Sequence, residues 1–355
     1  MTRIERVIAG MKKEGLGHLM VTDPISIRYL TDVYVQPFER LFAFLIKDSG
    51  ECVFFLNNLY SVPKTNFKEV WFSDTDDQIS LMASELDGCK KLGIDKEWTA
   101  RFLLPLCEKC PDVKPVLASF IVDDCRAIKD ADEIVKMKKA SLINDTVINK
   151  AADFVKEGMT EKEVAAFIDA TYLKEGASGN SFTTIVSFGA NAADPHHEPD
   201  DTVLHAGECV LIDMGCVYEN YCSDMTRTFY CKSADLEQTK IHDLVRIANE
   251  KAEAMIKPGV RLCDIDATAR DYLSAAGYSK EFNHRLGHFI GQKEHEFGDV
   301  SAANENVVKP GMIFSIEPGV YIEGKHGVRV EDLVLVTEDG CEVLNHADKH
   351  WRIVG

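Results

Sequence analysis

Positive charge is scarce in this sequence: Lys+Arg total 40 against 58 Asp+Glu, a net charge of −18, and no lysine/arginine-rich run stands out. That excludes the electrostatic footprint of a nucleic-acid or anionic-membrane binder, because both need cations clustered against phosphate. Long apolar runs are missing as well, with nothing near the roughly 18 uncharged residues of a membrane span. The opening MTRIERVIAGMKKEG is charged and helix-patterned rather than a secretion signal. The expectation is a soluble, cytoplasmic chain whose partners are small molecules or another subunit. CEKC, Cys107 to Cys110, has no second CxxC pair and reads as coincidence rather than a zinc knuckle. The 11 cysteines, an odd count scattered through apolar stretches, suit reduced thiols better than a disulfide framework. No glycine-rich loop cradles a phosphate, and EGLGHL is too short and wrongly placed for a dinucleotide fingerprint.

What is present is enough chain for two domains: 355 residues, 45% hydrophobic and 28% charged. Residues 1–124 alternate apolar runs with helical patterns, as in RVIAGMKKEG, GHLMVTD and, after a turn at Pro24, ISIRYLTDV. LFAFLIKDSGECVFFL reads as two strands around Asp48-Ser49-Gly50, which makes this stretch an α/β domain. Residues 125–355 form the second domain. There, spacing near 3.6 predicts a long helix from Asp130 to about Glu157, ended by Gly158. A second helix follows, with Thr160 and Glu163 in a capping-box arrangement. Another helical pair, QTKIHDLVRIANEKAEAMIKPG and RLCDIDATARDYLSAAG, comes later, and each pair precedes a strand-rich stretch containing acids and histidines. The order helix, helix, strands therefore occurs twice.

In LIDMGCVYENYCSDMTRTF, residues 211–229, each of two apolar strands carries an aspartate, Asp213 and Asp224. Their midpoint is 218.5, so a hairpin turning around Tyr218 and Glu219 predicts Asp213 directly opposite Asp224. Side chains so placed share a face, with Cβ atoms about 5 Å apart. Cys209 and Leu211 continue that face and shield it, and unpaired carboxylates in a shielded place are unfavourable. A cation is the simplest remedy. FSIEPGVYIEGKHGVRVEDLVLV, residues 314–336, repeats the arrangement: Glu317 and Glu331 are centred on Gly324, and an odd-length loop there makes them face. Arg329, two residues before Glu331, points to the same side, where it balances acid charge or holds a substrate carboxylate.

Four carboxylates with one or two imidazoles match the needs of two divalent ions about 3.5 to 4 Å apart. The histidine source is HRLGHFIGQKEHE. Gly287 and Gly291 around His288 argue against a helix, so His284 and His288 are not a helical HExxH pair. His288 is the better ligand, and His295, seven residues on beside Glu296, suits a position either behind a ligand or facing the substrate.

These stretches together resemble the pita-bread metallopeptidases, in particular the proline-specific group of prolidase (Xaa-Pro dipeptidase) and aminopeptidase P. RYLTDV is similar to part of that family's amino-terminal domain, and LIDMG…SDMTRTF, HRLGHFIG…HE, GMIFSIEPGVYI and GVRVEDLVLVTEDGCEVL resemble its carboxy-terminal motifs in order. The resemblance covers nearly the whole chain. It implies an α+β architecture: a creatinase-like α/β domain over 1–124 and a pita-bread catalytic domain over 125–355. It assigns five metal ligands, Asp213, Asp224, His288, Glu317 and Glu331, with Asp224 and Glu331 bridging. His196, in a Pro195-His196 pair 17 positions before Asp213, matches another family histidine. His196, His295 and Glu317 then take catalytic roles, and His284 and Arg329 bind substrate.

The implied activity is hydrolysis of the bond before proline in a small peptide with proline second, through a hydroxide bridging two divalent ions. Manganese is the first expectation, with cobalt or zinc as alternatives, and a homodimer is implied too. The alternative class is a non-catalytic or differently specific binding protein on the same fold. Two departures stand out: Phe289 where many members have glycine, and Asp299 where some prolidases place a basic residue or tyrosine.

Overall fold

The alternation in the first third of the sequence closes into one six-stranded sheet. The computed structural model describes residues 1–355, and the chain divides into two units, Met1–Arg126 and Ala127–Gly355. Strand order in the first unit is Lys68–Phe72, Cys52–Asn57, Ala43–Lys47, His18–Val21, Lys91–Ile94, Lys114–Leu117. Leu19, Val21, Phe44 and Phe54 pack into a core on one face, and Met20, Leu45, Val53 and Phe55 into a core on the other. A sheet covered on both faces gives continuous apolar runs rather than strict alternation. Pro24 opens a helix, Pro24–Thr31, whose first amides are capped by Asp23. Proline suits that position because its missing N–H would be unsatisfied anyway. The first unit runs through Arg126, and Ile121 and Val122 of the helix Phe120–Ala127 pack into its core.

The second unit shows the helix, helix, strands order twice. Helices Ala131–Phe154 and Glu161–Lys174 pack Val147 and Ile168 against Val186, Val210 and Ile212. The sheet beneath them runs Ile353–Val354, Met225–Cys231, Cys209–Met214, Ile185–Phe188. Helices Leu236–Met255 and Leu262–Ala275 pack Val245 and Ile265 against Phe314, Ile316 and Val334. Their sheet runs Glu296–Val300, Gly287–Phe289, Ile313–Ile316, Asp332–Val336, Cys341–Val343. Capping boxes open three of these helices, pairing Asp130 with Glu133, Thr160 with Glu163, and Asp235 with Gln238. The first helix ends at Phe154, short of Glu157, because Val155 turns extended and buries its side chain in the core. No helix is long and apolar enough to cross a membrane.

Strand alternation then decides where the polar residues go. Val210 and Ile212 face their helices, so Leu211 and Asp213 face away from them. Phe314 and Ile316 do the same for Ser315 and Glu317. The two helix-free faces meet through Thr226 Oγ1, which donates to Glu331 Oε2 at 2.7 Å, and Thr228 Oγ1, which donates to the Arg329 carbonyl at 3.0 Å.

Candidate metal centre and cleft

The first acidic hairpin departs from the register that its aspartates predict. Met225 pairs with Met214 and Thr226 with Asp213, and the ladder continues through Val217–Cys222 to Tyr218–Tyr221. The turn is therefore Glu219–Asn220, both at positive φ, 46° and 69°. Such turns suit two-residue hairpins because their twist matches that of the strands. Asparagine enters the left-handed region more readily than tyrosine, so the turn settles one residue later than expected. Asp213 faces Thr226, and Asp224 reaches the same cleft from a diagonal position. The second hairpin keeps its expected register. Ile316 pairs with Asp332 and Gly319 with Arg329, which leaves Glu317 facing Glu331 at the step between two ladders.

His196, Asp213, Asp224, His284, His288, His295, Glu317, Arg329 and Glu331 all line one cleft of about 410 Å³. His288 sits on a strand whose Gly287 is indispensable: a Cβ there would stand 1.9 Å from the Ser315 carbonyl oxygen. Its Nδ1 donates to the Phe289 carbonyl at 3.2 Å. That fixes the tautomer and leaves the Nε2 lone pair facing Asp224 Oδ2 at 3.4 Å and Glu317 Oε1 at 3.7 Å. Ligand-type atoms of Asp224, His288 and Glu331 lie within 4.8 Å of one another. Asp213 Oδ2 accepts from Arg329 Nη2 at 2.6 Å, while its Oδ1 is buried without a partner.

The charges are unbalanced. Burial, reinforced by neighbouring carboxylates, raises Asp224 and Glu331 well above the usual carboxylate range and pushes Glu317 up to about 7. Burial works against the charge on Arg329, yet Tyr321, Asp213 and Glu331 hold it protonated. Arg329 Nε donates to Thr226 Oγ1 at 2.9 Å and Nη1 to the Tyr321 hydroxyl at 2.8 Å. With Asp213, these bonds surround the guanidinium with acceptors. One arginine does not offset four acids, and the donor set with its orphaned Asp213 oxygen fits divalent cations. Burial also drives His284 down to about 3 and His295 to about 4, so both are neutral imidazoles near pH 7.

Several residues at or behind the cleft escaped sequence reasoning. Tyr321, behind the lining, accepts from Arg329 and lies 3.0 Å from His284 Nε2. Its signal was available, since residues 317, 319 and 321 alternate onto one side of a strand. Arg285, Glu294, Phe182 and Ile185 also line the cleft. The departures fall away from it: Phe289 packs on Phe314 with ring centroids 5.4 Å apart, and Asp299 accepts from Ser301 Oγ at 2.8 Å.

Comparison with known proteins agrees with this geometry. Residues 135–338 match metallopeptidase family M24, and residues 3–128 match the creatinase/prolidase N-terminal domain. An uncharacterized peptidase of Staphylococcus aureus is 38% identical over 363 residues, covering 98% of this chain and 100% of that protein. Among solved structures, dipeptidase PepE from Mycobacterium ulcerans aligns with a TM-score of 0.95 at 34% identity, over 99% of this chain and 97% of that one. Recombinant prolidase from Thermococcus sibiricus gives 0.94 at 32% identity, over 99% and 98%. With creatinase-type and pita-bread domains accounting for both units, the chain belongs to metallopeptidase family M24.

Proposed function

We propose that this peptidase cleaves the bond before proline in short peptides, acting as an Xaa-Pro dipeptidase that depends on two divalent ions. The observation that carries the reading is the acid cluster itself. Asp213 keeps a buried oxygen without a partner beside Asp224, His288, Glu317 and Glu331, whose carboxyls burial drives toward neutrality in the absence of a cation. Those five residues would hold the ions, with Asp224 and Glu331 shared. An oxygen-rich set with one imidazole suits manganese, with cobalt and zinc as the other candidates. When bound, the ions supply Lewis acidity that activates water near neutral pH and polarises the scissile carbonyl.

The chain's own groups do the rest. Glu317, whose Oε1 lies 3.7 Å from His288 Nε2, can take a proton from water at its carboxylate and pass it to the leaving nitrogen. His295 stacks edge-on to His288, with ring centroids 4.1 Å apart, and its neutral imidazole can donate to the developing oxyanion. His196 and His284 line the same cleft and can border the substrate, with Tyr321 bonded behind His284. Proline's nitrogen carries no hydrogen and its ring is rigid, so peptidases that grip an extended backbone handle it poorly. Phe182 and Ile185 give the cleft apolar surface for such a ring. The dipeptidase and prolidase named among the structural relatives support the specificity. A homodimer belongs to the same reading, as does a reducing cytoplasm, which suits eleven free cysteines.

The test strips the protein with chelator, restores manganese, cobalt or zinc, and compares Xaa-Pro, Xaa-Pro-Xaa and Met-Ala-Ser. Cleavage of the dipeptide alone supports the proposal, and cleavage of the longer proline peptide makes it an aminopeptidase instead. No metal-dependent hydrolysis of any of them would sink the peptidase reading in favour of a binding protein.

A further inference from the structure

His196 differs from the other catalytic candidates in its support. Glu317 adjoins the strand Ile313–Ile316 and His295 adjoins Glu296–Val300, but His196 rides on an irregular loop three residues past a short 3-10 turn, Gly189–Ala193. An exposed ring on such a loop has no fixed position unless something ties the loop down.

The tie is Glu161, first residue of the helix Glu161–Lys174 and fully buried. Its Oε1 accepts from Phe188 N at 2.8 Å and Asn191 Nδ2 at 3.0 Å. Its Oε2 accepts from His197 Nε2 at 2.7 Å and Asp200 N at 3.0 Å. One carboxylate thus gathers the end of a strand, the 3-10 turn, and the loop just after His196. The helix N-terminus favours its negative charge, and hydrogen bonds to an ionised acceptor are stronger than neutral ones. The turn is also seated from the other side: a Cβ on Gly327 would stand 1.7 Å from the Ala192 carbonyl oxygen, so only glycine lets that turn lie against the strand bearing Arg329. Ligand-type atoms of Glu161, His197 and Asp200 lie within 4.8 Å of one another. Both Glu161 oxygens already accept two N–H groups each, however, which makes the cluster a latch rather than a second metal site.

We infer that Glu161, through its bonds to His197 and Asn191, is a positioning residue that acts on the reaction by fixing His196 against the cleft. The inference rests on the peptidase reading and deepens it. If it holds, disturbing the latch matters only while His196 is there to be positioned. A purely structural role would give the same loss whether or not the imidazole is present.

The test is a double-mutant cycle on the metal-loaded, full-length protein with an Xaa-Pro dipeptide. Glu161→Gln and His197→Ala are each measured alone and combined with His196→Ala. Either change should lower kcat about ten-fold with KM little altered, and by less than about two-fold once His196 is alanine. The shift in Tm should be the same in both backgrounds. His197→Gln, which keeps an N–H for Glu161, should recover most of kcat. Since His197 is partly exposed, its variants keep the test open even if Glu161→Gln fails to fold. Equal fold-losses with and without His196 overturn the inference, as does a His197→Gln variant as poor as His197→Ala. A wild type that hydrolyses no prolyl peptide overturns the proposed prolyl specificity and this inference together, whereas an active wild type with additive losses overturns the inference alone.

Discussion

The two acidic hairpins carry carboxylate pairs at similar places and close differently. The first turns on Glu219 and Asn220, the second on three residues centred at Gly324, whose φ is 71°. Loop length sets register, and register sets what each acid faces. Glu317 meets Glu331 across its hairpin, while Asp213 meets Thr226. The threonine bonds both Glu331 Oε2 and Arg329 Nε, so one hairpin supplies the hydroxyl that orients the other hairpin's acid. The pairs are therefore not interchangeable, and the comparison can be broken from either side.

The largest effect belongs to Asp224, the acid that would serve both ions. Asp224→Asn should leave fewer than one ion per chain after dialysis and lower kcat/KM by about a thousand-fold. Metal analysis that still finds both ions would remove its bridging role. Thr226→Val tests the crossed support: manganese affinity, read by calorimetry, should weaken by about ten- to a hundred-fold, and an unchanged affinity would mean the hydroxyl orients nothing.

Glu317 offers a pH test in the chelated protein. Its folded pKa, about 7, lies above the usual 4.5 because of burial. A carboxyl raised in this way contributes stability that is fully present below 4.5 and lost as pH rises through about 7. The Tm of the wild type should therefore fall relative to Glu317→Gln over that window, and added manganese should raise the wild type more than the variant, which lacks one ligand. A difference that grows as pH falls would contradict the assigned shift.

The smallest effects lie in the turns. Gly324→Ala should destabilise by about 1 kcal/mol, since a side chain resists left-handed backbone. Glu219→Asn should stabilise by about 0.5 kcal/mol by easing the mirror turn. Urea unfolding measures both.

Much of the site was legible because one face of each hairpin had to hold its acids, and because Gly324 marked the centre of the second. The first register was not, since Tyr218–Glu219 and Glu219–Asn220 are both polar enough to turn and only backbone conformation separates them. Pro24 read as a turn and proved to be a helix start, because the cap that decides it, Asp23, acts through hydrogen bonds to Ile25 and Ser26 rather than through periodicity. The Glu161 latch was beyond reach for another reason: Glu161 and His197 are 36 residues apart, and nothing local marks their contact. Capping predicted the helix start that bears Glu161 and said nothing of the loop it gathers.

The central claim is that two hairpins together hold two ions that the reaction requires. Manganese titrated into chelated protein, with bound ions counted per chain and Xaa-Pro hydrolysis followed at each addition, tests it directly. The account predicts two ions per chain, with activity appearing as the sites fill. Full hydrolysis in chelator, or saturation without any bound manganese, would contradict it.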